Sequence, residues 1–332
     1  MIGIGIIGAG HFGAVHARAL RGVSGARLVA ACRNDATAIA AFTAEHGGTP
    51  YTAWQDLLDD AAVDAVVIAT PHDLHRDIAV AALGAGKHVL LEKPMAVSLA
   101  DCDAIAAAAS TSSGRFMIGH VPRFFLPMLA TTEFLASGAI GRPIMGTSAF
   151  IKLWMEGNRQ AWHLDRATGG GMLMTAGIHA LDRLVYLMGG DVTGVSAMMS
   201  AAFHHQDADD TAFINLRFAD GRFGHVTSLG YANGAVTSAL QVVCENGTLS
   251  VDLDGLLRVG QNGVWRDLPC PSEADPMDGA VRREWQAFIG AIENGGPVPV
   301  DAAYGRQLVA IIAAAQQSSL ERREITLEPI SP

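Results

Sequence analysis

Short apolar runs alternate with longer helical stretches through the first third of the chain. Gly3–Ile7, Leu28–Cys32, Asp64–Ala69, Lys87–Leu91 and Phe116–Gly119 are rich in Ile, Val, Leu and Ala and show no clean apolar/polar alternation. Runs of that kind suit strands buried on both faces. Between them, Ala14–Leu20, Ala36–His46, Asp77–Gly84 and Leu99–Ser110 are helical in composition. Strand and helix in strict alternation imply a parallel sheet covered on both sides, the order of a doubly wound α/β fold.

The pattern changes after about Val121. A helix is expected over Pro127–Ser137, a strand over Ile144–Lys152, a loop over Leu153–Thr168 and a helix over Met172–Met188. Val192–Val259 reads as several extended strands, with hairpin signals at Asp220-Gly221, Asn233-Gly234 and Asn246-Gly247. Two helices, Gly279–Glu293 and Ala302–Ser319, follow. A chain of 332 residues suits two domains. The reading is a doubly wound parallel sheet (Rossmann) over residues 1–121, then an α+β domain with a mainly antiparallel sheet over 122–332.

The first strand runs into Gly8-Ala9-Gly10-His11-Phe12-Gly13, a G-x-G-x-x-G turn that opens a helix. The three glycines act differently. Gly8 permits the tight turn, Gly10 lets a pyrophosphate approach the backbone, and Gly13 lets the helix lie on the strand. The helix N-terminus then offers free N–H groups and partial positive charge to phosphates. A dinucleotide cofactor is the expectation.

Composition narrows the partners. The formal net charge of -10 argues against nucleic acid, which needs clustered Lys and Arg. No run of 18 apolar residues occurs, so no membrane span is expected, and the start of the chain lacks the basic region of a signal peptide. Cys32, Cys102, Cys244 and Cys270 lie far apart with no C-x-x-C pair, as in a reduced, cytoplasmic protein without a thiolate metal site.

Other segments could carry chemistry. Glu92-Lys93-Pro94 ends a predicted parallel strand, where doubly wound folds bind ligands. Lys93 there either polarises a substrate hydroxyl near a nicotinamide or is a solvated turn residue. Thr70-Pro71-His72-Asp73-Leu74-His75 ends the preceding strand and reads as a loop lining the cofactor pocket rather than a metal site. Gly169-Gly170-Gly171 gives a flexible lead-in to a helix on which Thr175, His179 and Asp182 share one face. His179 is either an acid–base group or a hydrogen-bonded interior histidine. His204-His205 with Asp207, Asp209 and Asp210 reads as a solvated loop, not a metal cluster. Trp154, Trp162, His163 and Asp165 either wall a substrate pocket or pack between domains. No metal is expected.

Taken together, these segments resemble the glucose-fructose oxidoreductase / inositol dehydrogenase / rhizopine catabolism (Gfo/Idh/MocA) family of NAD(P)-dependent oxidoreductases. The likeness spans nearly the whole chain: Gly8 to Gly13, Thr70-Pro71 with His75, Glu92-Lys93-Pro94, Gly119 with Arg123-Phe124, Gly169 to Asp182, Asp210-Thr211 and Asn246-Gly247-Thr248. It implies Lys93 and His179 as catalytic residues and Arg123, Thr175, Asp182 and Trp162 around a hydroxylated small-molecule substrate. It implies Gly8, Gly10, His11, Phe12, Gly13, Arg33, Thr70, Pro71, His75, Glu92 and Lys93 around the cofactor. It also implies a homodimer or homotetramer formed through the open C-terminal sheet.

Two departures from the family pattern matter. Many members carry an aspartate four residues before the histidine, where this chain has Thr175. The second strand often ends in an acidic residue for the ribose of NAD, where this chain has Arg33. A guanidinium there pairs with the 2′-phosphate of NADP; the alternative is a surface arginine, with Asp35 serving the ribose of NAD. NADP is the favoured expectation. The function expected is hydride transfer between a nicotinamide and the hydroxyl-bearing carbon of a sugar, polyol or related metabolite. The alternatives are a dihydrodiol dehydrogenase, a reductase of non-sugar carbonyls, and a non-catalytic dinucleotide-sensing regulator.

Overall fold

The apolar runs of the first third become β1 (Ile2–Ile7), β2 (Ala26–Cys32), β3 (Thr49–Tyr51), β4 (Ala65–Ile68), β5 (His88–Glu92) and β6 (Phe116–Gly119). They pair in parallel in the order β3-β2-β1-β4-β5-β6. The helices between them are α1 (His11–Leu20), α2 (Ala36–His46), α3 (Trp54–Leu58), α4 (His75–Gly84) and α5 (Leu99–Thr111). Ile4, Ile6, Val66, Val67, Leu90 and Leu91 have no accessible surface. Each such side chain contributes roughly 1.5–3 kcal/mol by leaving water. Asp35 caps α2 at the Ala38 N–H and Ser98 caps α5 at the Asp101 N–H. The structure, a computed structural model, describes residues 1–157, 159–252 and 255–328.

Then follow α6 (Leu126–Ala136), β7 (Pro143–Leu153), a π-helical turn over Leu173–Gly177, and α7 (Ile178–Met188). The strands β8 (Val192–Ser200), β9 (Thr211–Phe218), β10 (Phe223–Tyr231), β11 (Thr237–Cys244), β12 (Gly247–Val251), β13 (Leu257–Gln261) and β14 (Val264–Asp267) complete most of a second sheet. Its order is β14-β13-β12-β11-β7-β10-β9-β8-β15, where β15 is Ile325–Thr326. All pairs are antiparallel except β7 with β10. Helix α7 packs on β7, β10 and β11. From it Arg183 donates to the Ser238 hydroxyl and the Ala149 carbonyl. β9 alternates buried and half-buried or exposed positions, and Phe213, Phe223 and Met198 are exposed on this sheet.

The chain does not divide at a single point. One compact unit comprises 1–124 with 273–306, and the other 125–272 with the residues from 307 on. Helix α8 (Pro276–Asn294) packs on α1 and buries Trp285, Phe288 and Ile289 in the first unit. Helix α9 (Ala302–Glu321) starts in the first unit and ends in the second, where Ser318 and Ser319 accept from the β8 N–H groups of Ala197 and Met199. The expected single boundary after residue 121 therefore differs from this division by the return of α8. The Asn233-Gly234 turn is not a hairpin, because β7 lies between β10 and β11. The other two turn signals join paired strands, β9 to β10 and β11 to β12. Among the described residues, no helix is long and apolar enough to cross a membrane.

Candidate active site

At the end of β1 the chain turns through Gly8, whose φ of +99° lies in the left-handed region. A Cβ there would sit 2.4 Å from the Ala69 carbonyl oxygen. Helix α1 begins at His11 with Gly10 as its cap, so no side chain occupies the helix N–H groups, and its first turn carries no acid. A Cβ on Gly10 would meet nothing within 4 Å, whereas one on Gly13 would lie 2.5 Å from the Gly8 carbonyl oxygen. The turn is therefore packed tightly on its inner side and open on its outer side. An open, uncapped helix N-terminus favours an anion, so these residues fit the pyrophosphate of a dinucleotide. Exposed Arg33, just beyond β2, reaches back to within 3.5 Å of the Ala9 carbonyl. Asp35 is engaged as the cap of α2.

The ends of β4 and β5 are tied by one imidazole. His75 has no accessible surface, and its ring nitrogens lie 2.8 Å from the Pro94 carbonyl and 3.1 Å from the Thr70 carbonyl. Burial pushes its pKa below the usual histidine value. Lys93, half-buried, immediately follows the last residue of β5. That residue, Glu92, is buried and accepts a hydrogen bond from His16 Nε2 at 2.9 Å. The other ring nitrogen of His16 accepts from the Trp285 indole N–H at 3.0 Å. Glu284 lies in the same group, with ligand-type atoms of His16, Glu92 and Glu284 all within 4.8 Å of one another.

In the second unit, the triple glycine is packed rather than flexible. A Cβ on Gly170 would lie 2.5 Å from the His163 carbonyl oxygen, and one on Gly171 2.5 Å from Asp209 Oδ1. Asp209 Oδ2 accepts from the Leu173 N–H at 2.9 Å. Burial pushes the Asp209 carboxyl up to about 6. Its neighbour Asp210 moves the other way: burial raises it, but the N–H groups of Ala202 and Phe203, Thr211 and His204 hold its carboxyl below the usual range. The π turn then leads to His179, half-buried and edge-on to Phe150 at 6.5 Å between ring centres. Thr175 is buried within the π turn.

Comparison with known proteins agrees with this anatomy. Residues 2–120 match the oxidoreductase family with an NAD-binding Rossmann fold, and residues 128–250 match the GFO/IDH/MocA C-terminal domain. Inositol 2-dehydrogenase 2 of Saccharopolyspora erythraea is 30% identical over 299 residues, covering 88% of this chain and 85% of that protein. The chain belongs to the Gfo/Idh/MocA oxidoreductase family. The 1,5-anhydro-D-fructose reductase of Ensifer adhaerens is 32% identical over 201 residues, 60% of each chain. The match spans 52% to 61% of the length of the first four curated relatives. A levoglucosan dehydrogenase solved with NADH and L-sorbose has the same fold, with a TM-score of 0.93 at 22% identity, covering 100% of both chains.

Several residues that the family resemblance assigns to ligands are enclosed by the fold. His75 and Glu92 are buried: the His75 ring lies between the Pro94 and Thr70 carbonyls, and Glu92 is turned into a buried polar group. Arg123 is buried, stacked 4.2 Å over the Tyr304 ring and 3.4 Å from the Pro299 carbonyl. Asp182 has no accessible surface. Trp154 has no accessible surface and is core of the second unit with Met172 and Ala176. Half-buried Trp162 stacks on His163 at 3.6 Å. The 201–207 segment is the solvated loop expected, with Ala201, Ala202, Phe203, His205 and Asp207 exposed, and it is anchored by buried Asp210, which accepts from the N–H groups of Ala202, Phe203 and His204. Gly8, Gly10 and Gly13, with His11 and Phe12 at the head of α1, form the cradle, and Thr70 and Pro71 follow β4. The His16, Glu92 and Glu284 group went unseen in the sequence, since its members are 76 or more residues apart.

Proposed function

We propose that this protein is an NADP-preferring dehydrogenase or reductase of a sugar, polyol or related hydroxylated metabolite. The observation that carries the reading is the cradle: open space over Gly10 at an uncapped helix N-terminus, beside the sheet whose β5 is followed directly by Lys93. The nicotinamide supplies the hydride chemistry when bound. Lys93 orients and polarises the substrate oxygen, and His179 takes or returns its proton. Thr175 and Trp162 contribute to holding the substrate. Arg33 pairs with the 2′-phosphate, a role supported by its reach over the turn and by the engagement of Asp35 elsewhere. The protein works in the cytoplasm with unbridged thiols, and copies associate through the second sheet, where Phe213, Phe223 and Met198 are exposed.

The test is a dehydrogenase screen of sugars, polyols and sugar acids with NAD and NADP side by side. Turnover with at least one hydroxyl compound, faster with NADP, is expected. Arg33→Asp then shifts kcat/KM toward NAD, by an interaction worth roughly 1.5–3 kcal/mol. A wild-type preference for NAD rejects the role of Arg33; absence of turnover across the panel, with dinucleotide still bound, points to a sensor.

A further inference from the structure

Beneath the Lys93 turn lies a closed polar group drawn from three elements: His16 on α1, Glu92 at the end of β5, and Glu284 with Trp285 on α8. Its hydrogen-bond chain fixes protonation states. An indole N–H only donates. Trp285 donates to His16 Nδ1, so that nitrogen carries a lone pair and Nε2 carries the proton it donates to Glu92. His16 Nε2 is therefore not available as a metal ligand, and the group is a proton-holding site instead of a cation site. Glu92 is the acceptor in this chain. Glu284 completes the group with no accessible surface, and neither of its oxygens has a hydrogen-bond partner among the described residues. A second carboxylate so placed would be buried beside a first with nothing to neutralise it, and protonation removes that cost.

We propose that Glu284 is a proton-bearing positioning residue: neutral at physiological pH, it closes the pocket around Glu92 and through Glu92 fixes the direction of Lys93. Burial first, and the charge of Glu92 second, push its pKa well above the usual carboxylate range. The neighbouring cations on its own helix are engaged elsewhere. Arg282 is turned to Asp278, and Arg283 to Glu273 and the Phe124 carbonyl. From the other packed elements, His16 on α1 and Glu92 on β5 come within 4.8 Å of it, and the 121–124 turn that α8 also packs on carries Arg123, which is stacked over the Tyr304 ring. The Glu92 carboxylate is held close enough to β6 that a Cβ on Gly119 would lie 2.9 Å from Oε1. Successive residues of an extended strand leave on opposite sides, so confining Glu92 in the layer of α1 and α8 sets the direction in which residue 93 departs.

This role of Lys93 rests on the oxidoreductase reading above, so the experiment has one arm that needs no turnover. Infrared spectroscopy of the full-length protein, with glutamate carbon-labelled, reads un-ionised carboxyl groups directly. Wild type at neutral pH is expected to show a protonated carboxyl stretch that is lost in Glu284→Gln. Absence of that band in wild type, or its survival in Glu284→Gln, overturns the proposal, as does a stoichiometric divalent metal in purified wild type. In the kinetic arm Glu284→Gln, which keeps an uncharged polar group of the same shape, is expected to retain about half of kcat or more. Glu284→Met, of similar bulk, is expected to lower kcat about tenfold or more and to shift its pH profile, with dinucleotide KM unchanged, because misdirection of a catalytic group costs rate rather than binding. Equal kcat and identical pH profiles in the Gln and Met variants reduce Glu284 to a packing residue. If no substrate is turned over by wild type, the infrared arm still decides whether Glu284 holds the proton.

Discussion

Two helices in this protein are approached through glycines, and the glycines do opposite things. At α1 the space over Gly10 is empty and no protein side chain occupies the helix N–H groups. At the π turn before α7 the glycines are pressed against the protein's own backbone and against Asp209, whose carboxylate accepts from the Leu173 N–H. A helix start needs an electron-rich partner. The first unit leaves that place open to a phosphate, and the second fills it with its own carboxyl group. A glycine run before a helix therefore signals close approach of something, and only the fold says whether it is ligand or protein.

The largest effect should come from the residue that the filled helix start presents. His179→Ala is expected to lower kcat by roughly 100-fold or more while dinucleotide affinity stays unchanged, as read by steady-state rates and cofactor titration. Retention of full activity would leave the second helix start a purely structural device and weaken the contrast.

Asp209 sharpens the comparison through pH. Its folded pKa of about 6 stands above the ordinary 3.8 because burial disfavours the charge. The folded form holds this proton more tightly than the unfolded chain does. The stability it confers is thus complete below about pH 4 and is lost as pH rises to about 6, by up to about 3 kcal/mol. Denaturant unfolding between pH 4 and 7 should show this decline in wild type and a flatter profile in Asp209→Asn. A profile of equal slope in the two proteins removes Asp209 as the titrating group.

The glycines themselves give a pair of opposed outcomes. Gly10→Val should fold with wild-type stability and bind dinucleotide about 10- to 100-fold more weakly, by losing backbone contacts to phosphate. Gly171→Ala should instead cost about 1–3 kcal/mol of stability, since Gly171 has a φ of +102° and its Cβ would strike Asp209. Calorimetry with and without NADP distinguishes the two; equal losses of stability would erase the distinction.

The first sheet was legible in the sequence because its central strands are buried on both faces, which writes continuous apolar runs. The exception fits the same mechanism: β3 contains Pro50, has two exposed residues of three, and left no apolar run to find. In the second sheet the strands were legible but their neighbours were not. Nothing local in Asn233-Gly234 reveals that β7 is inserted between the strands it joins. The cradle was readable because it depends on missing side chains and on backbone. The burial of His75, Arg123 and Asp182 was not legible, because a polar side chain beside a motif looks the same in sequence whether it is exposed or enclosed by the fold. Glu284 carried no signal at all, since one glutamate in Arg-Arg-Glu-Trp reads as the wet side of a helix.

The return of α8 also bears on how the protein is made. A ribosome delivers residues 1–124 first, yet the surface of α1 that carries His16 has no cover until residues 276–294 emerge. The whole of 125–272 is synthesised in the interval. The nascent dinucleotide-binding region must wait, with its polar core group still wet, so its completion is a late event of translation although its strands are the earliest to appear.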